Sequence, residues 1–377
     1  MSAPLIYLIA GEASGDALGA DLMRALKRRN PEIQFAGIGG DAMKSEGLVS
    51  LFPYQELSIM GLLEVLPHIP LMLRRIRETA EDVAAKQPAC VVTIDSPGFT
   101  FRVAARLRDE PATRNIKRIH YVAPSVWAYK PKRALKTAKL YDLLLTLLPF
   151  EPPYFEKEGL KSVFVGHPVL WSENAGDASA FRARHRIAPD TNILLVLPGS
   201  RKSEVGYHLD IFLEAARSLY GFTPVILAGA QVKSLIEGQA PQGSIIADIG
   251  EKNDAFASAT LALTKSGTIS LELAKAGVPM VVAHRAHPFT AWLLRRLILI
   301  DYVSLANIAV KRAIIPEMIQ ERCNPQEIAQ ELLKLATPEA REAQRAQYAK
   351  ALAVLRGANT LAPGDIAANA VLSALIN

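Results

Sequence analysis

Ala262–Glu272 reads ALTKSGTISLE, and this stretch decides the fold class. The apolar run Ala259–Leu263 has strand character and leads into Ser266-Gly267-Thr268, while Ile269–Ala276 has the composition of a helix start. A strand that hands over to a helix through a short turn is the repeating unit of an α/β sheet. A hydroxyl/glycine turn at a helix N-terminus also offers unpaired backbone N–H groups to an anion. Glu272 lies one turn deeper, where a carboxylate can hold a sugar hydroxyl. Two readings stand side by side here: a nucleotide-diphosphate site that needs no metal, and an ordinary capped helix.

The same grammar repeats outward in both directions. Strands are expected at Leu5–Ala10, Gln34–Ile38, Ala89–Ile94, Lys117–Val122, Leu143–Leu148 and Ser162–Val165, then at Asn192–Leu197, Pro224–Ala228, Ser244–Asp248, Thr260–Thr264 and Val278–Ala283. Nearly continuous apolar strands alternating with helices imply parallel sheets covered on both faces. Composition changes at Trp171–Asp190, which is rich in Ala, Asp and Arg and reads as a linker with an entry helix. The expectation is therefore an α/β chain of two doubly wound Rossmann-like domains facing a cleft, residues 1–170 and 171–337, followed by an Ala-rich helical tail, 338–377. Ligands of such sheets bind beyond the C-terminal strand ends.

Bulk composition narrows the class. The 377 residues are 50% hydrophobic and 21% charged, with a net charge of +6, which is a folded globular chain with ample core. Phe101–Leu140 carries 11 Lys and Arg against only Asp109 and Glu110. Such a cluster suits phosphates or an anionic membrane surface, or is a solvated basic face. It has few interleaved aromatics and no nucleic-acid-binding motif, so no nucleic acid is expected. Two distant cysteines, Cys90 and Cys323, suggest buried thiols and a reducing compartment. The N-terminus lacks the basic flank of a signal peptide, and no apolar run reaches 18 residues. Leu57–Ile76, LSIMGLLEVLPHIPLMLRRI, is densely apolar but broken by Pro67 and Pro70. Beside Arg74, Arg75 and Arg77 it reads either as a headgroup-plane segment or as a core helix.

Polar clusters fall at the expected strand ends: Gly11-Glu12-Ala13-Ser14-Gly15-Asp16, Asp95, Ser200-Arg201 and Ser266-Gly267-Thr268. The chain has no P-loop lysine motif, no GxGxxG after the first strand, no Asp-x-Asp pair and no metal-ligand spacing, so neither cofactor nor metal is expected. Asp95 is the candidate general base, since a carboxylate at a strand end beside an apolar wall can have a raised pKa; a cap or a bond to the turn at Ser96-Pro97-Gly98 is the competing role. For Asp16 a cap on the Ala17 helix is favoured. His167 reads equally as a cleft or a structural residue, whereas Trp127 and Tyr129 could line a sugar or lipid site but read more readily as core aromatics.

Taken in order, GEASGDALGADLM, GIGGDAM, LSIMGLLEVLPHIP, TIDSPGF, YVAPSVWAYKPKR, VGHPV, LPGSRKSEV, TKSGTISLELAKAGVPMVV, DYVSLANI and IIPEMIQ resemble the lipid-A-disaccharide synthase family over nearly the whole chain. The resemblance implies a GT-B glycosyltransferase that transfers 2,3-diacylglucosamine from its UDP donor to 2,3-diacylglucosamine 1-phosphate with inversion. It implies Asp95 as base, and Glu12, Ser14, Gly15, Asp16 and Met60 on the acceptor side. Ser200, Arg201, Ser266, Gly267, Thr268, Glu272, Asn307 and Gln320 would hold the UDP sugar. Leu62, Leu63, Leu66, Ile69, Leu71, Met72 and Leu73 would meet the anionic cytoplasmic face of a Gram-negative inner membrane, and the last helix would cross back onto the N-terminal domain. Another GT-B UDP-sugar enzyme, a peptidoglycan N-acetylglucosaminyltransferase or a UDP-sugar 2-epimerase, is the alternative, and a non-enzymatic nucleotide-binding membrane module is a further one.

Overall fold

The computed structural model describes residues 4–57, 68–173, 175–287, 291–292 and 296–376. The chain divides into two compact units, one running through Trp171 and resuming at Gly357, the other Ser172–Arg356. Each is built on a six-stranded parallel sheet, so the α/β class holds.

In the first unit the strands are β1 (Leu5–Ala10), β2 (Gln34–Ile38), β3 (Cys90–Ile94), β4 (Lys117–Tyr121), β5 (Leu143–Thr146) and β6 (Ser162–Phe164), in the order β2-β1-β3-β4-β5-β6. Ile6, Leu8, Val92 and Ile94 bury one face of the sheet beneath the helices Ala13–Arg29 and Pro363–Ile376, whereas Tyr7, Ile9 and Val91 bury the other beneath Ile69–Lys86 and Pro97–Asp109. Alternate residues of these strands thus feed opposite layers, which is why the strands read as unbroken apolar runs. In the second unit β7 (Asn192–Leu197), β8 (Phe222–Ala228), β9 (Ile245–Asp248), β10 (Leu261–Lys265), β11 (Met280–His284) and β12 (Glu317–Ile319) take the order β12-β11-β10-β7-β8-β9.

The chain reverses direction across the sheet between β1 and β3 in the first unit and between β7 and β10 in the second. Loops leaving neighbouring strands at such a switch point diverge and open a crevice at the C-terminal edge. Gly11–Asp16 and Asp95 follow β1 and β3, while Gly199–Arg201 and Ser266–Thr268 follow β7 and β10. The four polar clusters of the sequence therefore sit in pairs at the two switch points.

Three expectations change. The helix expected from Ala17 begins at Ala13, inside GEASGD. The tail is not one piece: Pro338–Arg356 packs in the second unit, where Tyr348 and Ala351 join its core, and only Pro363–Ile376 lies in the first, against the helix Ala13–Arg29. The strand β12, three residues long at the sheet edge, was not expected. The segment Leu57–Ile76 is described only at its ends. Its helix starts at Ile69 with Pro70 in the first turn, where no N–H is needed.

Candidate active site

At the first switch point β1 and β3 are in register at Ala10 and Ile94, so Gly11 and Asp95 emerge side by side. Asp95 and Ser96 both hold left-handed backbone, with φ of 50° and 47°. Non-glycine residues in this region are strained, and such strain persists where surrounding bonds impose it. Here the Asp95 N–H donates to Tyr121 O at 2.9 Å and its carbonyl accepts from Thr100 Oγ1 at 2.8 Å. The Ser96 Oγ is buried, and a Cβ on Gly11 would stand 2.7 Å from it, so a side chain at 11 would force Ser96 to move. The Asp95 carboxylate accepts one hydrogen bond, 2.8 Å, from the Ser96 N–H. Burial pushes its pKa up, opposed by that bond. One carboxylate oxygen thus serves the turn, the competing role that the sequence offered, and burial with a raised pKa is what a general base at this place would need.

The rest of GEASGD divides. Glu12 is the half-buried, extended cap residue of the helix Ala13–Arg29, and Ser14 is exposed in its first turn. Gly15 is buried against the ends of β1 and β3, where a Cβ would make ordinary contacts of 3.4 Å with Ala10 Cβ and Ile94 O, so the packing there does not demand glycine. Asp16 corrects the expectation. Its carboxylate neither caps its own helix nor faces outward: it accepts from the backbone N–H of Gly40 (2.7 Å), Ala42 (3.0 Å) and Met43 (3.1 Å), capping the short helix Asp41–Ser45. Gly40 has no Cβ because one would meet the Asp16 Oδ2 at 2.6 Å. Met60 lies outside the described residues.

In the second unit a pocket of about 420 Å³ opens at the other switch point. Ser200, Arg201, Ser266, Gly267, Thr268 and Glu272 all line it, together with Leu197, Leu227 and Ile249. Gly267 and Thr268 are exposed at the start of the helix Thr268–Lys275, whose N-terminus therefore faces open space. Glu272 Oε2 lies 2.6 Å from Lys252 Nζ, a partner that no motif announced. Glu204 was also missed. Its Oε2 accepts from the N–H of Ser200 (3.0 Å) and Arg201 (3.3 Å), and its Oε1 accepts from Lys265 Nζ (3.0 Å). Burial works against its ionisation, but the Lys265 bond and charge, the Ser200 N–H and Arg201 outweigh it and hold its pKa below the usual carboxylate range. Beneath it, His208 Nδ1 lies 2.6 Å from Glu204 O, and Nε2 accepts from the Arg285 N–H at 2.9 Å. Burial lowers the pKa of His208 and takes that of the stacked His284 down to about 4.

Asn307 and Gln320 do not line this pocket; Asn307 lies instead on the wall of a second cavity, of about 680 Å³, with Arg312, Ile315 and Glu317. Asn307 is fully buried and saturated: Nδ2 donates to Ile315 O and Glu317 Oε1, both at 2.8 Å, and Oδ1 accepts from the N–H of Ile314 and Ile315, both at 2.9 Å. Gln320 follows β12 with φ 56° and accepts from the Ala286 N–H at 3.4 Å.

Other candidates prove structural. His167 is buried, accepts from the Val169 N–H at 3.3 Å and has its pKa pushed down to about 4 by burial. Trp127 Nε1 donates to the buried Glu151 at 3.1 Å. Arg118 leaves the basic face and donates inward to Leu140 O and Arg114 O at 2.9 Å each. The exposed remainder includes Lys130, Lys132, Lys136 and Lys139. Cys90 and Cys323 are buried thiols. Among the described residues no group of three or more His, Cys, Asp or Glu is placed to share a metal ion.

This architecture has solved counterparts. The chain superposes on a UDP-GlcNAc 2-epimerase from Neisseria meningitidis bound to UDP-GlcNAc with a TM-score of 0.66, at 14% identity, over 99% of this chain and 100% of that one. It superposes on the calicheamicin glycosyltransferase CalG4 with a TM-score of 0.58, at 17% identity, over 100% and 99%. These likenesses establish the GT-B fold shared by glycosyltransferases and epimerases. Sequence relatives are closer. The lipid-A-disaccharide synthase of Paramagnetospirillum magneticum is 45% identical over 98% of this chain and 97% of its own, and that of Granulibacter bethesdensis is 45% identical over 89% and 86%. The lipid-A-disaccharide synthetase profile matches residues 6–368, which takes in both switch points and ends inside the last helix, Pro363–Ile376. With a profile match over nearly the whole chain and relatives 45% identical across it, the chain belongs to the lipid-A-disaccharide synthase family.

Proposed function

We propose that this chain is an inverting glycosyltransferase that condenses UDP-2,3-diacylglucosamine with 2,3-diacylglucosamine 1-phosphate to β-1,6-linked lipid A disaccharide 1-phosphate and UDP. Full-length similarity to named lipid-A-disaccharide synthases carries the reading. The 420 Å³ pocket supports it with an apolar wall of Leu197, Leu227 and Ile249 for a flat base, and Glu272 for a sugar hydroxyl. The open N-terminus of Thr268–Lys275 and Arg201 supply positive potential for a diphosphate without a metal. Asp95 takes the proton from the acceptor 6-hydroxyl as its oxygen forms the bond to the anomeric carbon; the bond to the diphosphate breaks on the opposite side, and UDP leaves with the electron pair. One base opposite the leaving group suffices for inversion.

The test is UDP release by the purified protein given the UDP donor, with and without acceptor, and with EDTA in parallel. Acceptor-dependent release that survives EDTA is expected. Release without acceptor would instead indicate hydrolysis or epimerase-like chemistry.

The acylated substrates require an apolar surface. No helix among the described residues is long and apolar enough to cross a membrane. The helix Ile69–Lys86 buries Ile76, Ala80 and Val83 but leaves Ile69 42% and Leu73 58% exposed, with Leu71 and Met72 half-buried. Arg74 and Arg77 stand exposed on the same helix, whereas Arg75 is tied to Glu56 at 2.8 Å. Leu62, Leu63 and Leu66 lie outside the described residues. We place this helix end at the anionic cytoplasmic surface of the inner membrane. The double substitution Ile69→Asp, Leu73→Asp is expected to weaken sedimentation with phosphatidylglycerol vesicles by about tenfold or more, since each side chain contributes roughly 1.5–3 kcal/mol when buried in an apolar phase. Unchanged sedimentation would move the contact elsewhere.

A further inference from the structure

Leu197 of β7 pairs with Thr264 of β10, so Gly199–Arg201 and Lys265–Thr268 leave the sheet at one place. Lys265 is the last residue of β10 and lines the same pocket as Ser266, Gly267 and Thr268. Its Nζ is 3.0 Å from Glu204 Oε1, and its side chain is 22% exposed. The other oxygen of that carboxylate fills the start of the helix Lys202–Arg217 by accepting from Ser200 and Arg201. An internal anion thus occupies one of the two helix N-termini at this pocket. The other, at Thr268, is the one open to a ligand, and Lys265 adjoins it in sequence.

We propose that Lys265 reads the diphosphate of the donor: its ammonium bonds a phosphate oxygen when the nucleotide is bound and is held by Glu204 when it is not. This rests on the reading of the pocket as the UDP-sugar site. A flexible lysine can exchange one oxygen partner for another without leaving an uncompensated charge behind. Glu204 retains both backbone N–H donors and has the Arg201 guanidinium 3.6 Å away. Negative charge grows on the leaving diphosphate as the bond to the sugar breaks, and a cation already in place stabilises it.

The experiment is calorimetric titration of wild type, Lys265→Met, Lys265→Gln and Lys265→Arg with uridine, UMP and UDP. The two neutral variants should bind UDP about tenfold or more weakly, as loss of one charge-assisted hydrogen bond implies. They should lose less with UMP and nothing with uridine, and their UDP affinity should depend less on salt. Lys265→Arg should remain close to wild type. Equal losses for uridine and UDP would show that Lys265 only props the pocket walls and would overturn the proposal, as would unchanged UDP affinity in both neutral variants. A wild-type protein that binds neither uridine nor UDP would overturn the pocket assignment itself, before any variant is compared.

Discussion

Asp95→Asn should lower kcat for disaccharide formation by about 10²- to 10⁴-fold, the range for loss of a positioned general base, with UDP affinity unchanged. The substitution keeps the shape of the side chain and an oxygen for the Ser96 N–H, which lies 2.8 Å away, so the strained turn at Asp95 and Ser96 survives. It removes the proton acceptor. Stability should not fall. Burial raises the Asp95 pKa in the folded protein, and the sign follows from linkage. A raised value means a stabilising contribution fully present below the unfolded pKa of about 3.9 and lost as pH rises through the folded one. At neutral pH wild type therefore carries a buried charge that Asp95→Asn lacks, and the variant should unfold at the same temperature or slightly higher. The wild-type kcat/KM should fall as pH drops through the raised value, because only the ionised carboxylate accepts a proton. Full turnover in both Asp95→Asn and Asp95→Ala would remove Asp95 from the role.

The sheets and the positions of the polar clusters were legible because both follow from local pattern. A strand buried on two faces is a run such as CVVTI, and the polar residues that end it fall where crevices open. What escaped was pairing over distance. Asp16 sits in a motif that suggests a ligand, yet its partners begin at Gly40, 24 residues on. Lys265 and Glu204 are 61 residues apart and meet only because β7 and β10 adjoin. Arg118 belongs to a basic run in sequence and to the interior in space, because strand alternation and the carbonyls of Leu140 and Arg114 turn it inward. A motif shows which residues share a loop; it does not show which of them the fold has already satisfied.

Asn307 tests that distinction, since the family resemblance places it on the donor while the structure leaves its amide no vacant position. An amide has two donor hydrogens and an acceptor oxygen with two lone pairs, and all four are spent on Ile314, Ile315 and Glu317. Glu317 depends on the arrangement in turn, accepting from the N–H of Val303 and Ser304 at 2.9 Å each and from Ser304 Oγ at 2.6 Å. The network ties the helix Leu305–Val310 to the edge strand β12. Asn307→Ala would leave the Ile315 N–H and carbonyl unpaired, leave the Ile314 N–H only its bond to Arg312 O at 3.0 Å, and strip a donor from a carboxylate. At about 1–3 kcal/mol for each unsatisfied group, partly relieved by relaxation, the expected loss is roughly 3–5 kcal/mol, a large share of the stability of an ordinary domain. Asn307→Asp should be worse, because it sets a second carboxylate 2.8 Å from Glu317 in place of a donor. The measurement is urea unfolding followed by UDP titration at low temperature, where the variant is still folded. A lowered midpoint with near-wild-type UDP affinity would show Asn307 to be a structural tie. Wild-type stability with UDP affinity lost would return it to the donor site.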